Sequence, residues 1–302
     1  MSLSTRAQPD VAREPHWRLA EGEVIAPGRT ALKRLGGGRR YDAYLAWDDH
    51  LHSVVVCKLV RPHLVGDEHT LAGLAGEWEM LECLSHPVIV RGFGLVLDGP
   101  CPHLVLEHLE GPRLSTLVRR YGPLPLEQLV PLALQLCAAV HYLSEEGVAH
   151  LDIKPSNTIM GAPARLIDLS VALDGAAAAR LERAVGTDAY MAPEQCEPGR
   201  RGPVGSAADV WGLGVTLYKA ATGQLPFVRP VPDVDESTTR WPQLERSPAW
   251  PEAAPPAVAE QIMTCLADDP GDRPSAADLH AALEPALATL PRPQLSRLKP
   301  RL

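Results

Sequence analysis

The sequence predicts an α+β protein in two parts, a small β-rich part followed by a larger, mainly helical part. Strand-like segments with one helix fill the first third of the chain, helical patterns follow Gly111, and the character of the sequence changes near residues 109–113. The length of 302 residues, with 45% apolar and 22% charged residues, suits a globular protein with a substantial buried core.

The first part is predicted from short apolar runs and one amphipathic segment. The runs RTALKRL, DAYLAW and SVVVCKLV, from about residue 29 to 60, favour strands, as do IVRGFGLVL and HLVLEHL further on. Residues 67–84 are predicted as a helix because apolar side chains recur there at helical spacing: Leu71, Leu74, Trp78, Leu81 and Leu84. Residues 1–20 are polar and are predicted to form a loose tail.

The second part is predicted to be helical. Residues 125–147 read as a long, mostly buried helix that ends at Gly147. Further helices are predicted near residues 205–222, 255–267 and 275–288. The last of these begins with Ser275 and has Asp278 three residues on, which is a capping-box arrangement.

Charge and cysteine content exclude several classes of protein. The net charge of −8, without a basic stripe, argues against nucleic-acid binding. The six cysteines form no CxxC pair and are predicted to be reduced thiols rather than disulfides or zinc ligands. The sequence shows no signal-peptide pattern and no run of about 18 apolar residues. We therefore expect no membrane interaction of this chain and a cytoplasmic location.

Lys58 stands inside an apolar strand. It could be an edge-strand lysine whose ammonium reaches water. A buried ammonium would instead need an anion, and Glu77 borders the buried face of the following helix. Such a pair would hold the ammonium where it can meet phosphate oxygens. The glycine cluster LGGGRRY before this strand is either a hairpin turn or a loop whose N–H groups approach a phosphate.

The segment HLDIKPSN, residues 150–157, contains the chain's one asparagine. Asp152 could be a turn former and Asn157 a loop residue. Alternatively, Asn157 and the later Asp168 supply hard oxygen ligands that suit Mg²⁺ bound to polyphosphate. Asp152 would then accept a proton from a hydroxyl, and Lys154 would neutralise a transferring phosphoryl group.

The order of these motifs resembles the eukaryotic-type (Hanks-type) protein kinases, most closely the bacterial serine/threonine members. The resemblance runs from about residue 22 to 288 and includes VVVCKLV, LSHPVIVRGFG, HLVLEHLEG, HLDIKPSN, GTDAYMAPEQ, DVWGLGVTLYKAATGQLPF and DRPSAADL. It implies a bilobal protein-kinase-like fold, with a small β-rich N-lobe with one helix and a larger mainly helical C-lobe. The implied boundaries are a tail at 1–20, the N-lobe at 21–109, the C-lobe at 110–290 and a tail at 291–302.

The resemblance also implies roles for individual residues and the cofactors ATP and Mg²⁺. Four residues match the catalytic positions: Asp152 as base, Lys154 as its assistant, and Lys58 paired to Glu77. Asn157 and Asp168 match the metal ligands. Those that match nucleotide-contacting positions are Gly36, Gly38, Ala43, Val56, Lys58, Leu106, Glu107 and Leu109. Four other residues match family positions that hold the structure in place. Thr187 would brace Asp152 and Lys154, Glu194 and Arg273 would form a buried salt bridge, and Asp209 would hold the loop that carries Asp152.

Several positions depart from the family pattern, among them Ala43, which stands in place of the usual valine. Tyr41 replaces the third glycine of the phosphate loop, where its side chain could obstruct the loop or fold outward. Val56 replaces a small alanine, and Ser170 replaces the glycine after Asp168 and Leu169. Leu151 replaces the arginine that normally reads a phosphate on the activation segment. Because residues 171–185 carry no hydroxyl group, we predict that activity is independent of activation-loop phosphorylation.

The predicted function is that of a serine/threonine protein kinase that transfers the γ-phosphate of Mg-ATP to a protein substrate. Two alternatives are a pseudokinase, which would bind nucleotide weakly or not at all and act as a scaffold or regulator, and a small-molecule phosphotransferase. The stretch GTDAYMAPE and Arg273 disfavour the latter. The resemblance also allows a homodimer through the N-lobe. Residues 231–250 are predicted to be a variable loop, with a partner surface as the alternative.

Overall fold

The computed structural model describes residues 15–231, 234 and 237–291, which divide into two compact units. The first, the N-lobe, comprises the described residues 15–79 and 91–108. Its six strands form one antiparallel sheet in the order β1-β2-β3-β4-β6-β5. The strands are β1 Val24–Ala26, β2 Arg29–Gly37, β3 Tyr41–Asp48, β4 Ser53–Val60, β5 Gly92–Val96 and β6 His103–Glu107. The helix α1, Glu68–Cys83, begins in this lobe.

One face of the sheet carries the N-lobe core. Because side chains alternate along a strand, every second residue of β3 and β4 is buried. The buried cluster comprises Ile25, Ala31, Tyr44, Ala46, Val55, Cys57, Leu59, Cys101 and Val105. Trp17 and Leu19 pack against this cluster, and the indole N–H of Trp17 donates to the Val60 carbonyl at 2.7 Å. The prediction of a loose tail is therefore wrong for residues 17–19, while residues 1–14 lie outside the described part.

The C-lobe comprises residues 80–90 and the described residues from 109 to 291. Its helices are α2 Leu114–Tyr121, α3 Leu126–Glu145, α4 Gly175–Ala179, α5 Pro193–Cys196, α6 Ser206–Thr222, α7 Ser237–Arg240, α8 Pro256–Thr264 and α9 Ala276–Ala288. Four short strands form two small ladders, β7 Val148–Ala149 with β10 Leu173–Asp174, and β8 Thr158–Ile159 with β9 Arg165–Leu166. Helix α3 packs against α6 and α9 to form the centre of the lobe.

Half of the residues of helix α3 are buried, and they lie between Leu129 and Leu143. By length and composition alone, it is also the one helix in the described part of the chain that is apolar enough to cross a membrane. However, 56% of its most apolar window is buried within the fold. Since the core helices of folded domains pass the same test, this is weak evidence for a membrane span.

The main predicted elements agree with the structure to within a few residues, and the bilobal kinase-like fold class is confirmed. The Ser275 hydroxyl accepts from the Asp278 N–H at 3.1 Å, so the predicted cap of α9 is present. The short helices α2, α4, α5 and α7 were not predicted. In its described part, the predicted loop at 231–250 contains the four-residue helix α7 and a buried 3₁₀ turn at Pro242–Leu244, and its variability and the partner-surface alternative stay predictions.

Candidate active site

Four of the predicted nucleotide-contacting residues share one face of the N-lobe sheet. Ala43 lies opposite Lys58 in the β3–β4 ladder, and Val56 lies opposite Leu106 in the β4–β6 ladder. All four are half-buried, and they point away from the buried cluster that includes Tyr44 and Cys57. The alternation of the strands therefore brings these residues together on the face opposite the core.

Lys58 forms an ion pair with Glu77 of helix α1. The ammonium nitrogen lies 2.6 Å from Glu77 Oε2, and the exposed fractions of the two side chains are 13% and 1%. Strand β4 lies between β3 and β6, so Lys58 is not on an edge strand, which rules out the edge-strand alternative. The pair thus places a cation on the half-buried face of the sheet, where its carboxylate partner offsets part of the cost of burial.

Tyr41, the residue in place of a glycine, is turned toward helix α1. Its hydroxyl donates to the backbone carbonyl of Thr70 at 2.9 Å, and the Lys58 ammonium lies 5.0 Å from the centre of its ring. The ring therefore links strand β3 to the helix that carries Glu77. Neither of the two orientations considered from the sequence included this link.

The glycine cluster forms a hairpin between β2 and β3. The Gly38 N–H donates to the Tyr41 carbonyl at 2.9 Å, and Gly36 has a φ of +147° that favours glycine. At Gly37, a side chain would collide with the Asp42 carboxylate and the Tyr41 carbonyl. The hairpin alternative is correct as local structure, and binding of phosphate by Gly36 and Gly38 stays a prediction.

Two residues predicted to contact adenine, Glu107 and Leu109, lie at the end of β6 and just after it. The Glu107 carboxylate pairs with Arg91, whose Nη2 lies 3.0 Å from Glu107 Oε1. Leu109 is the first residue of the chain assigned to the C-lobe after β6. The adenine-binding role of both residues stays a prediction.

In the C-lobe, Asp152, Lys154 and Thr187 form a closed set of hydrogen bonds. Lys154 Nζ lies 2.6 Å from Asp152 Oδ2 and also donates to the Thr187 hydroxyl at 2.6 Å. The Thr187 hydroxyl in turn donates to Asp152 Oδ1 at 2.6 Å. The carboxylate is half-buried and oriented by both partners, which is the arrangement required of a positioned proton acceptor.

Asn157 is held by the same aspartate. Its side-chain N–H groups donate to the Asp152 carbonyl at 3.0 Å and to Asp152 Oδ2 at 3.1 Å. This turns the amide oxygen away from Asp152, as a residue offering a hard oxygen ligand requires. Asp168 has a φ of +70°, and the following Leu169 is buried at 1% exposure. The donor types of Asn157 and Asp168 fit Mg²⁺.

The loop that carries Asp152 is fixed from beneath by two buried side chains. The Asp209 carboxylate accepts from the backbone N–H groups of His150 and Leu151, both at 2.7 Å. Burial raises the pKa of Asp209, although these hydrogen bonds and His150 oppose the increase. Gln195 donates to the carbonyls of Leu151 and Val185 at 2.9 Å each. Sequence analysis missed this role of Gln195, because nothing in the local pattern reveals contacts to residues 10 and 44 positions away.

Glu194 and Arg273 form a fully buried salt bridge. Arg273 Nη1 and Nη2 lie 2.7 and 2.8 Å from the two Glu194 oxygens. The guanidinium also lies 5.0 Å from the Trp211 ring centre. This bidentate geometry joins helix α5 to the turn before α9, far along the sequence, and is structural rather than chemical.

Comparison with known proteins identifies the family. Residues 29–282 match the family model described as Protein kinase domain. The chain is 33% identical to serine/threonine-protein kinase PkaA of Streptomyces coelicolor over 236 residues, which are 76% of this chain and 42% of that protein. It is 30% identical to serine/threonine-protein kinase PknB of Mycobacterium leprae over 203 residues, 64% of this chain and 32% of that protein.

The chain is also 27% identical to PknB of Mycobacterium tuberculosis over 264 residues, 82% of this chain and 41% of that protein. The matched segment therefore spans about a third to two-fifths of the length of these curated relatives.

Proposed function

The chain belongs to the protein kinase domain family, and from that premise we propose that it transfers the γ-phosphate of Mg-ATP to a serine or threonine hydroxyl of a protein. The hydrogen-bonded set of Asp152, Lys154 and Thr187 carries the proposal, because Lys154 and Thr187 together orient the carboxylate that would accept the proton of a substrate hydroxyl. The names of the relatives, serine/threonine-protein kinases, support the same activity.

Each residue of this set has a distinct task. Asp152 would accept the hydrogen bond, and then the proton, of the substrate hydroxyl as that oxygen attacks phosphorus. Lys154, already 2.6 Å from Asp152, would offset the negative charge of the transferring phosphoryl group. Thr187 keeps both side chains in place. In this reaction type, catalysis is mainly positioning and charge stabilisation.

Asn157 and Asp168 would hold the metal ion. When bound, Mg²⁺ supplies charge neutralisation on the phosphates of ATP. In the N-lobe, Lys58 would contact the nucleotide phosphates while Glu77 fixes its position. Ala43, Val56 and Leu106 would supply the apolar surface for adenine, and Gly36 and Gly38 the backbone over the phosphates.

We also propose that activity requires no phosphate on the activation segment. Leu151, in place of the usual arginine, lies in a buried apolar cluster with Ala178, and Val171, Leu173 and Leu181 of the activation segment pack against that cluster. Apolar packing thus holds the segment where other kinases use a phosphate and its arginine. Phosphatase treatment should leave activity unchanged, whereas strict dependence on phospho-Thr187 would contradict the proposal.

Labelled ATP with a generic protein substrate tests the activity. Transfer should require Mg²⁺, should be lost on chelation, and should be absent in Asp152→Asn. A melting-temperature increase with ATP and Mg²⁺ that persists in Asp152→Asn would show that nucleotide binding survives. Nucleotide binding by the wild type without phosphate transfer to any hydroxyl would favour the pseudokinase alternative and overturn the proposal.

Two further expectations accompany this function. The cytoplasmic location suits a domain that uses ATP. The homodimer through the N-lobe rests on the family resemblance alone, and analytical ultracentrifugation would test it. The identity of the protein substrate requires a separate screen, since the chain spans part of the length of its relatives.

A further inference from the structure

The substrate-facing stretch of the activation segment is attached to a second, distant segment of the C-lobe. Asp188 Oδ1 accepts from the indole N–H of Trp241 at 2.9 Å and from Arg240 Nη2 at 3.3 Å. The Arg240 guanidinium lies 4.5 Å from the centre of the Trp241 ring. Arg240, the last residue of helix α7, and Trp241, the residue after it, therefore both donate to the Asp188 carboxylate. The Arg240 donor is charged, and the Trp241 side chain is buried.

Gln243 extends this attachment to the backbone. Its side-chain N–H groups donate to the carbonyl of Asp188 at 2.8 Å and to that of Met191 at 3.1 Å. Gln243 is 4% exposed and Trp241 is 9% exposed. Because an unmade hydrogen bond at a buried site is costly, these donors restrict both ends of the turn from residue 188 to 191.

The attached turn includes the residue next to Thr187. The Thr187 carbonyl accepts from the backbone N–H groups of Tyr190 and Met191, at 2.7 and 3.1 Å, while its hydroxyl donates to Asp152. On the other side, Gly186 has a φ of +128° and a side chain there would approach the Leu151 carbonyl. Because Asp188 follows Thr187 in the chain, a shift of Asp188 would also move Thr187. The Thr187 hydroxyl is hydrogen-bonded to Asp152, so the Asp152 carboxylate would shift as well.

We propose that Asp188, gripped by Arg240, Trp241 and Gln243, is a positioning residue that keeps the substrate-facing stretch in register with Asp152. The proposal rests on the proposed phosphate transfer to a protein hydroxyl. Beyond the hydroxyl-free residues 171–185, the Asp188 carboxylate supplies a negative charge next to Thr187, and Arg240 and Trp241 contact it as an arginine contacts a phosphate. The charge-assisted indole contact makes this more than an exposed ion pair.

Steady-state kinetics with myelin basic protein as probe test the proposal, on protein treated with phosphatase. Asp188→Ala should lower kcat/KM for the protein substrate at least tenfold, while KM for Mg-ATP changes less than twofold. Asp188→Asn, which keeps an acceptor for Trp241 but loses the charge, should fall between this variant and wild type. Trp241→Phe, which keeps an aromatic ring at this position but loses the indole N–H, should resemble Asp188→Asn. The matched controls are Asp98→Ala and Trp250→Phe, since both residues are exposed.

Two kinetic results would overturn the proposal. In the first, Asp188→Ala equals Asp98→Ala in kcat/KM. In the second, KM for Mg-ATP and the melting temperature worsen together with the protein-substrate kinetics, which indicates general loss of folding. Backbone amide hydrogen exchange of residues 187–196 tests the attachment of Asp188 without an activity assay. These amides should exchange at least threefold faster in Asp188→Ala than in Asp98→Ala, and equal exchange rates would overturn the proposal. A wild type that transfers no phosphate to any substrate would instead refute the proposed function.

Discussion

Each lobe contains a buried ion pair, and the two pairs differ in how completely the protein surrounds the cation. In the C-lobe, both side chains of the Arg273–Glu194 pair have 0% exposure, and the guanidinium also donates to the carbonyls of Ala207, Ala267 and Asp268. In the N-lobe, Lys58 meets Glu77 at 2.6 Å and keeps 13% of its side chain exposed.

The difference separates a structural pair from a chemical one. An arginine fork surrounded by protein acceptors leaves no access for a ligand, and its geometry defines how distant segments meet. A lysine is a compact point charge on a flexible stem, and partial exposure allows its ammonium to meet an incoming phosphate. We therefore expect changes at Lys58 to affect catalysis most, and changes at Arg273 to affect folding most.

The largest expected effect is on catalysis by Lys58→Met. Removal of the cation should lower phosphate transfer by about 100-fold or more, as removal of one preorganised charge-stabilising group does in other enzymes. Initial rates should be measured at a temperature where circular dichroism shows the variant folded. The control is Lys33→Met, which removes an exposed lysine from β2 of the same sheet. Equal rates in both variants would contradict the distinction between the pairs.

Arg273→Ala should have the largest effect on stability. It leaves the Glu194 carboxylate buried without its cation, which costs about 3–5 kcal/mol in the free energy of unfolding. Urea denaturation measures this cost, with Arg200→Ala as control because that arginine is 78% exposed. A loss below about 1 kcal/mol, the range of exposed pairs, would mean that complete enclosure does not make the pair structural.

Asp42 provides a pH-dependent test within the N-lobe. Burial would raise its pKa, but hydrogen bonds from Arg34, His16 and the Trp17 N–H hold the pKa below its ordinary value. The stabilisation from the carboxylate is therefore complete above the unfolded pKa of about 3.9 and is lost as the pH falls through the folded pKa. Asp42→Asn should lose about 1–3 kcal/mol at pH 7.

The decisive measurement for Asp42→Asn is the difference in the free energy of unfolding from wild type as a function of pH. This difference should be constant above pH 5 and should narrow toward pH 3. Asp98→Asn, at an exposed position, should show little difference at any pH. A difference that widens as the pH falls would contradict the lowered pKa.

The smallest expected effect is that of Tyr41→Phe. It removes the 2.9 Å hydrogen bond to Thr70 but keeps the ring beside Lys58. We expect a loss of about 0.5–1.5 kcal/mol in stability, measured by urea denaturation. Tyr121→Phe serves as control, because Tyr121 is 70% exposed. An unchanged stability would mean that the hydroxyl does not hold α1 against β3.

The residues that are predictable from sequence are those with a local reason to be recognised. Lys58 interrupts an apolar strand, and Asp152 and Asn157 stand in one short loop, so phosphate handling is one of the interpretations that these residues allow, and the family resemblance selects it. The capping pair Ser275 and Asp278 was predictable for the same reason, since both partners lie within one helical turn.

The features that escaped prediction depend on contacts between distant positions. Asp188 meets Trp241 across 53 residues, and Trp17 meets Val60 across 43. No periodicity marks such pairs, and the polar, proline-containing segments around Trp17 and Trp241 favour a loop prediction. Helix α2 lacks a capping side chain at Arg113, so its start gives no sequence signal either.

The docking of Trp17 has a practical consequence for shortened versions of this protein. A version that starts at the first strand would leave the Tyr44 hydroxyl without its acceptor, the Trp17 carbonyl at 2.6 Å, and the Asp42 carboxylate without two of its donors. It would also uncover apolar surface on the N-lobe core. Truncations intended for expression or crystallisation should therefore retain the chain from residue 15 onward.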